Sequence, residues 1–243
     1  MDNQGQHRNR DDRANSRPNT DSLIPSHGGY RNLKTFQMAQ LIYDVTVWFC
    51  ARHIDRRSRT RDQMVQAARS GVQNIAEGSQ ASGTSSRTEM KLTNVARASL
   101  EELRLDYEDF IRQHSLEQWP PQRPALQRFR ATRCANLQEL KLWVARELAQ
   151  ADNQPPGEAR TDLHGQTRTT TDTNRIKDSA RPSAELEANA ALSLLNLCCR
   201  LLDRQINAQA NAFLRAQGMP EPDWTLPVLE EARQLAALDP RRL

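Results

Sequence analysis

The sequence predicts an all-α protein, an antiparallel up-down four-helix bundle followed by a flexible linker and a long C-terminal suffix helix. Three observations predict it. Apolar residues recur at helical spacing through four consecutive stretches between residues 30 and 151. Short polar connections separate those stretches, and the simplest fold for amphipathic rods joined that way is an antiparallel bundle. With 37% hydrophobic and 26% charged residues, a core has to come from amphipathic elements rather than from continuous greasy runs.

Residues 1–29 carry four arginines against four aspartates without periodicity and are expected to be a disordered tail. From Leu33, the residues Phe36, Ile42, Tyr43, Val47 and Cys50 give a first helix ending near Arg52. A second helix runs from about Ser58 to Glu77 on Met64, Ala67, Ala68, Val72 and Ile75. Gly78 is expected to supply the left-handed residue that stops it. The third opens at Ser86, where Ser86 and Glu89 read as a capping box, and carries the strongest stripe: Leu92, Val95, Ala96, Ser99, Leu100, Leu103, Tyr107, Phe110 and Ile111. The fourth is expected from Pro124 to Ala151 through Leu126, Phe129, Leu137, Leu140, Val144 and Leu148, with proline in its first turn.

Residues 152–182 lose periodicity and read as a flexible linker. The suffix domain, 183–243, opens at Ser183 with one long helix that Gly218 and Pro220 stop, followed by a short amphipathic segment at 227–238. A single helix cannot bury its own stripe of Leu186, Ala190, Leu194, Leu197, Leu201 and Phe213, so the suffix must dock on the bundle or on another copy. Self-association follows as an expectation.

Charge divides the chain. Residues 30–151 hold 19 Lys and Arg against 13 Asp and Glu, a balance of +6, whereas 183–243 hold 6 against 8, a balance of −2. Arg52, Arg56, Arg57, Arg59 and Arg61 cluster where helices one and two meet; Arg112, Arg123, Arg128 and Arg130 surround the junction of helices three and four. An up-down bundle puts both junctions at one pole. An arginine-dense pole suits phosphate oxygens through forked hydrogen bonds and counterion release, so these nine are candidate nucleic-acid contacts, to RNA or DNA backbone. Solvated or internally paired charge is the competing reading, since Asp55 and Asp62 dilute the cluster. No aromatic residues interleave the arginines, which argues against single-strand base stacking.

The serine- and glycine-rich stretch 78–86 is read as a structural corner. It lacks the lysine of a phosphate loop and follows a helix rather than a strand. Glu77 at a helix C-terminus faces an unfavourable dipole, so Arg87 or Lys91 is expected to compensate it, with Asn74 hydrogen-bonding into the same corner. No nucleophile-base set, metal spacing or nucleotide loop is present, which predicts a non-enzymatic protein without catalytic residues, metal or cofactor. His53 and His114 do not stand three residues after a glutamate, as a carboxylate di-metal bundle would need. Trp48 and Trp143 read as core or interface residues. Cys50, Cys134, Cys198 and Cys199 lack paired spacing and read as reduced thiols; with no apolar run of membrane-spanning length and no signal-peptide pattern, a cytoplasmic protein is expected.

The motifs "QAARSGVQNIAEGS" and "LTNVARASLEELRLDYEDFIR" resemble the bacterial four-helix-bundle family first met in intervening sequences of large-subunit ribosomal RNA genes. The likeness covers roughly residues 30–120, and "ANAALSLLNLCCRLLDRQINAQANAFLRAQG" is similar to the extra region of its suffix-domain subgroup. Where family members often carry a proline in the second helix, this chain has Ser70-Gly71-Val72-Gln73-Asn74. The resemblance implies a bundle without established enzymatic activity. It also implies an accessory role like that of a diversity-generating retroelement protein, a basic pentamer that binds reverse transcriptase and nucleic acid. A protein-protein interaction scaffold with no nucleic-acid role is the alternative.

Overall fold

The computed structural model describes residues 29–152 and 172–217, with side chains described for 29–150 and 182–217. It is all-helical, with no strand among the described residues. A 3-10 turn (Tyr30–Asn32) leads into α1 (Lys34–His53), α2 (Arg59–Ala81), α3 (Ser86–Gln113), α4 (Pro124–Thr132), α5 (Leu137–Asp152) and α6 (Asp172–Ala216). The expected tail apart from Gly29, the linker over 153–171 and the closing segment at 227–238 lie outside the described residues.

α1 buries Phe36, Ala39, Ile42, Val45, Phe49 and Cys50, a stripe at three- and four-residue spacing; Val47, expected on that stripe, faces outward. α2 and α3 approach closely through two glycines seven residues apart. A Cβ on Gly71 would lie 2.6 Å from Cδ2 of Leu100, and one on Gly78 would lie 3.3 Å from the Glu89 carbonyl oxygen. Gly78 therefore does not stop α2 as expected. It sits inside the helix, facing the α3 backbone, and α2 continues to Ala81, where Ser82 N–H still donates to the Gly78 carbonyl at 3.1 Å. The cap of α3 is likewise one residue earlier than expected: Ser85 Oγ accepts the Thr88 N–H at 3.2 Å, which makes Ser86 the first helical residue. Two serines in succession offer the same chemistry, and the extended backbone of Ser85 decides which one caps.

The expected continuous fourth helix is broken. Arg133 takes a left-handed conformation (φ 50°), and α5 starts anew behind Asn136, whose Oδ1 accepts the Glu139 N–H at 3.0 Å while Glu139 Oε2 accepts the Ala135 N–H at 2.8 Å. The place beside α1 and α3 expected for 124–151 is taken by α6. α6 runs antiparallel to α1, with Glu187 against His53 at one end and Gln205 accepting from the Thr35 hydroxyl (2.8 Å) at the other. It is also antiparallel to α3, with Asp203 accepting from Arg97 and Gln209 donating to Glu89, and Glu185 accepting from Trp119 Nε1 in the connection that follows α3. Its inner face explains the preference. Ala184, Ala188, Ala191, Leu195, Cys198 and Leu202 are small or slender, sit at helical spacing and are buried, so the α6 backbone comes close to its neighbours.

α6 also begins earlier than expected, at Asp172 rather than Ser183, with Pro182 accommodated inside it. α4 and α5 cover the outer side of its first half with Leu126, Phe129, Leu140, Trp143 and Val144, the Phe129 and Trp143 rings lying 4.7 Å apart. Ser183 to Leu195 is thereby buried on most of its circumference; beyond it Leu197 is 40% exposed.

Candidate nucleic-acid interface

The bend between α1 and α2 lies against the end of α3. The His53 ring is 6.5 Å from that of Phe110, and His53, Asp55 and Gln63 line one cleft together with Asp106, Asp109 and His114. The connection from α3 to α4 reaches the stretch of α6 that meets the α1 end: Trp119 N–H donates to Asn189 Oδ1 at 2.8 Å, two residues from Glu187.

Within this end the nine arginines divide into two groups. Five are engaged inside the chain. Arg52 stacks over the Trp48 ring at 5.1 Å and reaches within 3.3 Å of Glu187. Arg112 pairs with Asp109 at 2.7 Å. Arg123 pairs with Glu117 at 3.1 Å and lies over Trp119. Arg128 grips the buried carboxylate of Glu147 with two bonds of 2.7 and 2.5 Å. Arg130 donates to the Pro121 carbonyl and to Ser193.

The other four, Arg56, Arg57, Arg59 and Arg61, form no ion pair among the described residues. Arg56, Arg57 and Arg59 are exposed and Arg61 is half-buried. Of the two carboxylates that dilute them in sequence, Asp55 accepts the Arg57 backbone N–H through Oδ1 at 2.7 Å and shapes the turn, and Asp62 is exposed and forms no ion pair among the described residues. Sequence spacing brought the nine together; hydrogen-bond partners separate them, and those partners include Glu147 and Ser193, far along the chain.

The corner at 78–86 does not assemble as expected. Asn74 turns back along its own helix, its Nδ2 donating to the Ser70 carbonyl (2.9 Å) and Oγ (3.1 Å), while Ser70 Oγ lies 2.9 Å from Ser99 Oγ across the α2–α3 seam. Glu77 is exposed and has no ion pair with Arg87 or Lys91 among the described residues. Because α2 runs one turn further, Glu77 lies short of the last turn, where the dipole penalty would have called for compensation.

The acidic run of α3 is largely spoken for. Arg104 pairs with both Glu101 and Glu108, and the Arg104 guanidinium holds the Glu101 carboxyl below its usual range. The thiols are held protonated: burial pushes Cys50 up to about 12 and Cys199 up to about 11, and all four cysteines are buried and free. Among the described residues no group of three or more His, Cys, Asp or Glu side chains could hold a metal ion, and no helix is long and apolar enough to cross a membrane.

Sequence reasoning missed one polar pair. Glu187, fully buried on α6, places Oε2 2.8 Å from Nε2 of His53, whose side chain is 6% exposed. The available signal was the second of two glutamates, Glu185 and Glu187, in the small-residue run "ELEANAAL", since a charge inside the tightest-packing stretch of a helix needs a partner. Comparison of the chain with protein-family models, with curated proteins and with solved structures finds no match.

Proposed function

We propose that this is a non-enzymatic helical accessory protein that contacts the phosphate backbone of nucleic acid through the bend between α1 and α2. The packing unit in this reading is an up-down bundle of α1, α2 and α3 closed by α6, with α4 and α5 as an outer brace. One observation carries it: Arg56, Arg57, Arg59 and Arg61 fall within six residues and are without carboxylate partners, while the other arginines of the same end are held inside the chain. Guanidinium groups left free at this bend can each fork to a phosphate and release a counterion. A partner such as a reverse transcriptase or a structured RNA belongs to this proposal through the family resemblance alone. The stripe that motivated self-association is covered largely by α1, α3, α4 and α5, so an oligomer, pentameric or other, rests on that resemblance too.

The test is retention on RNA and on duplex DNA across a salt series. Replacing Arg56, Arg57, Arg59 and Arg61 with glutamine should lower the slope of log K against log salt by about three. Replacing Arg112, Arg123 and Arg130 should leave it unchanged. Equal slopes in the two variants would remove the proposal and leave the interaction-scaffold reading.

A further inference from the structure

We infer that the groove where the second half of α6 meets the starts of α1 and α3 is the docking site of this chain's own segment 227–238, laid back along α6 as an antiparallel helix. The groove, about 460 Å³, lies at the far end of α1 from the arginine bend. Leu33, Leu201, Ala208 and Ala212 make its walls apolar.

α4 and α5 cover α6 over its first half; in the second half Ala208 and Ala212, one turn apart, are exposed. Alanines are what α6 presents where other helices pack closest, at Ala184, Ala188 and Ala191. Between the two exposed alanines, Gln209 donates through Nε2 to Glu89 at 2.9 Å, which fixes the direction of its amide. Its Oε1 is shielded from solvent and has no hydrogen-bond partner among the described residues. A buried acceptor of that kind calls for a donor from whatever covers it.

Length and direction name the occupant. α6 is the last described element and ends at Ala216, just before Gly218, Pro220 and Pro222, which disfavour its continuation. Fully extended, residues 218–226 span about 30 Å, enough for the chain to reverse direction there. From Ala212 back to Leu201 is about 17 Å along the helix axis, and segment 227–238 as a helix is about 18 Å long. Its apolar stripe is Val228, Ala232 and Leu235, flanked by Leu229 and Ala236. Laid antiparallel, Val228 falls near Ala212, Ala232 near Ala208 and Leu235 towards Leu201. So short a helix is not stable alone in water and gains stability by burying that stripe. Charge agrees: residues 218–238 carry four carboxylates against one arginine, and Lys34 stands exposed in the groove lining. The tether holds the segment at an effective concentration of about millimolar, which favours it over the same segment of a second copy.

The experiment is mild oxidation of the full chain carrying Ala208→Cys and Ala232→Cys, in which the four native cysteines are buried and do not compete. The expected product is a disulfide within one chain, read as linked peptides by mass spectrometry from the monomer band of a non-reducing gel. Ala208→Cys with Gln234→Cys, on the opposite face of the segment, should bridge at least about tenfold more slowly. In the chain carrying Ala208→Cys alone, alkylation of that thiol should quicken about tenfold when Leu235→Asp is added, because a charge on the stripe undocks the segment. Linkage between chains, equal rates for the two cysteine pairs, or alkylation unchanged by Leu235→Asp would each overturn the assignment. Arg56, Arg57, Arg59 and Arg61 lie at the other end of α1, so the nucleic-acid proposal stands or falls separately.

Discussion

Glu187 on α6 and His53 at the end of α1 form a buried pair, 2.8 Å between Oε2 and Nε2, that ties the last helix to the bend bearing the free arginines. The second oxygen is less well served. Arg52 Nε comes within 3.3 Å of Oε1, which counts as an ion pair, yet the alignment does not make a hydrogen bond and Oε1 has none. The Arg52 contact is Coulombic support alone. Around the pair, the Phe49 ring lies 4.9 Å from both His53 and Tyr107, and the Tyr107 hydroxyl donates to Thr46 at 3.2 Å.

Removing one partner of a buried pair costs more than removing both, because the survivor is left uncompensated in low dielectric. Glu187→Ala should therefore lower unfolding stability by about 3 kcal/mol, whereas Glu187→Met combined with His53→Leu should recover most of the loss. Urea midpoints for the three proteins, at unchanged m-value, measure both numbers. A double variant as unstable as the single one would mean that the pair does not act as a unit.

The α2–α3 seam predicts the sign of a glycine substitution. Alanine gains about 1 kcal/mol over glycine in a helix interior. At Gly71, however, its methyl would come within 2.6 Å of Leu100, itself fully buried, and overpacking of this kind costs about 1–3 kcal/mol. Gly71→Ala should thus be destabilising by about 1 kcal/mol on balance. Gly71→Ala combined with Leu100→Ala, which removes both the Cδ2 and the Cγ that oppose the new methyl at 2.6 and 2.8 Å, should lose less than the two changes added separately. Thermal unfolding of the four-member cycle gives the coupling directly.

Acid should act on α3 with two opposite signs. Arg104 lowers the folded-state carboxyl of Glu101 below its ordinary 4.5, so the stability it contributes is complete above that value and is lost as pH falls through the lower folded value. Asp106 is raised above its ordinary 3.8 by burial, so its charge opposes folding near neutrality and that opposition disappears as pH falls through the raised value. Glu101→Gln should then reduce stability at pH 7 and narrow the gap to wild type below pH 4, while Asp106→Asn should leave the pH 7 protein equally or more stable. Urea titrations from pH 3 to 7 separate the two.

What the sequence made legible followed from local rules. The stripes of α1, α2 and α3 placed those helices to within a few residues, and Pro124 marked the first turn of α4. The helix that packs beside α1 and α3 was misassigned because periodicity says that a face is apolar, not which face covers it. Residues 124–151 and 183–217 both carry stripes, and the alanine-rich contact surface of α6 decides the competition. The break at Arg133 was hidden because a left-handed stop usually carries glycine or asparagine, and here an arginine occupies it. Charge clustering located the bend at Arg56–Arg61, and Asp109 three residues before Arg112 was within reach of the helical pairing rule, but the engagement of Arg52, Arg128 and Arg130 depends on Glu187, Glu147 and Ser193, partners that no spacing rule connects to them.

The end of α3 shows the same concealment and supplies a last prediction. Ser115 stands at φ 52°, and the surrounding bonds make a Schellman motif: Leu116 N–H donates to the Ile111 carbonyl at 2.9 Å and Ser115 N–H to that of Arg112 at 3.3 Å. A left-handed residue with a Cβ costs about 1 kcal/mol that glycine avoids, and Ser115 is exposed, so its side chain contributes little packing in return. Glycine also gains unfolded-state entropy, which offsets part of that relief. Ser115→Gly should raise stability by about 0.5 kcal/mol, read as a shift of the urea midpoint, while Ser115→Ala, which keeps the Cβ, should not. The same glycine placed at Ser85, where the backbone is extended and the hydroxyl caps α3, should be neutral or destabilising, so the gain at Ser115 would report backbone conformation rather than a general tolerance of glycine at helix ends.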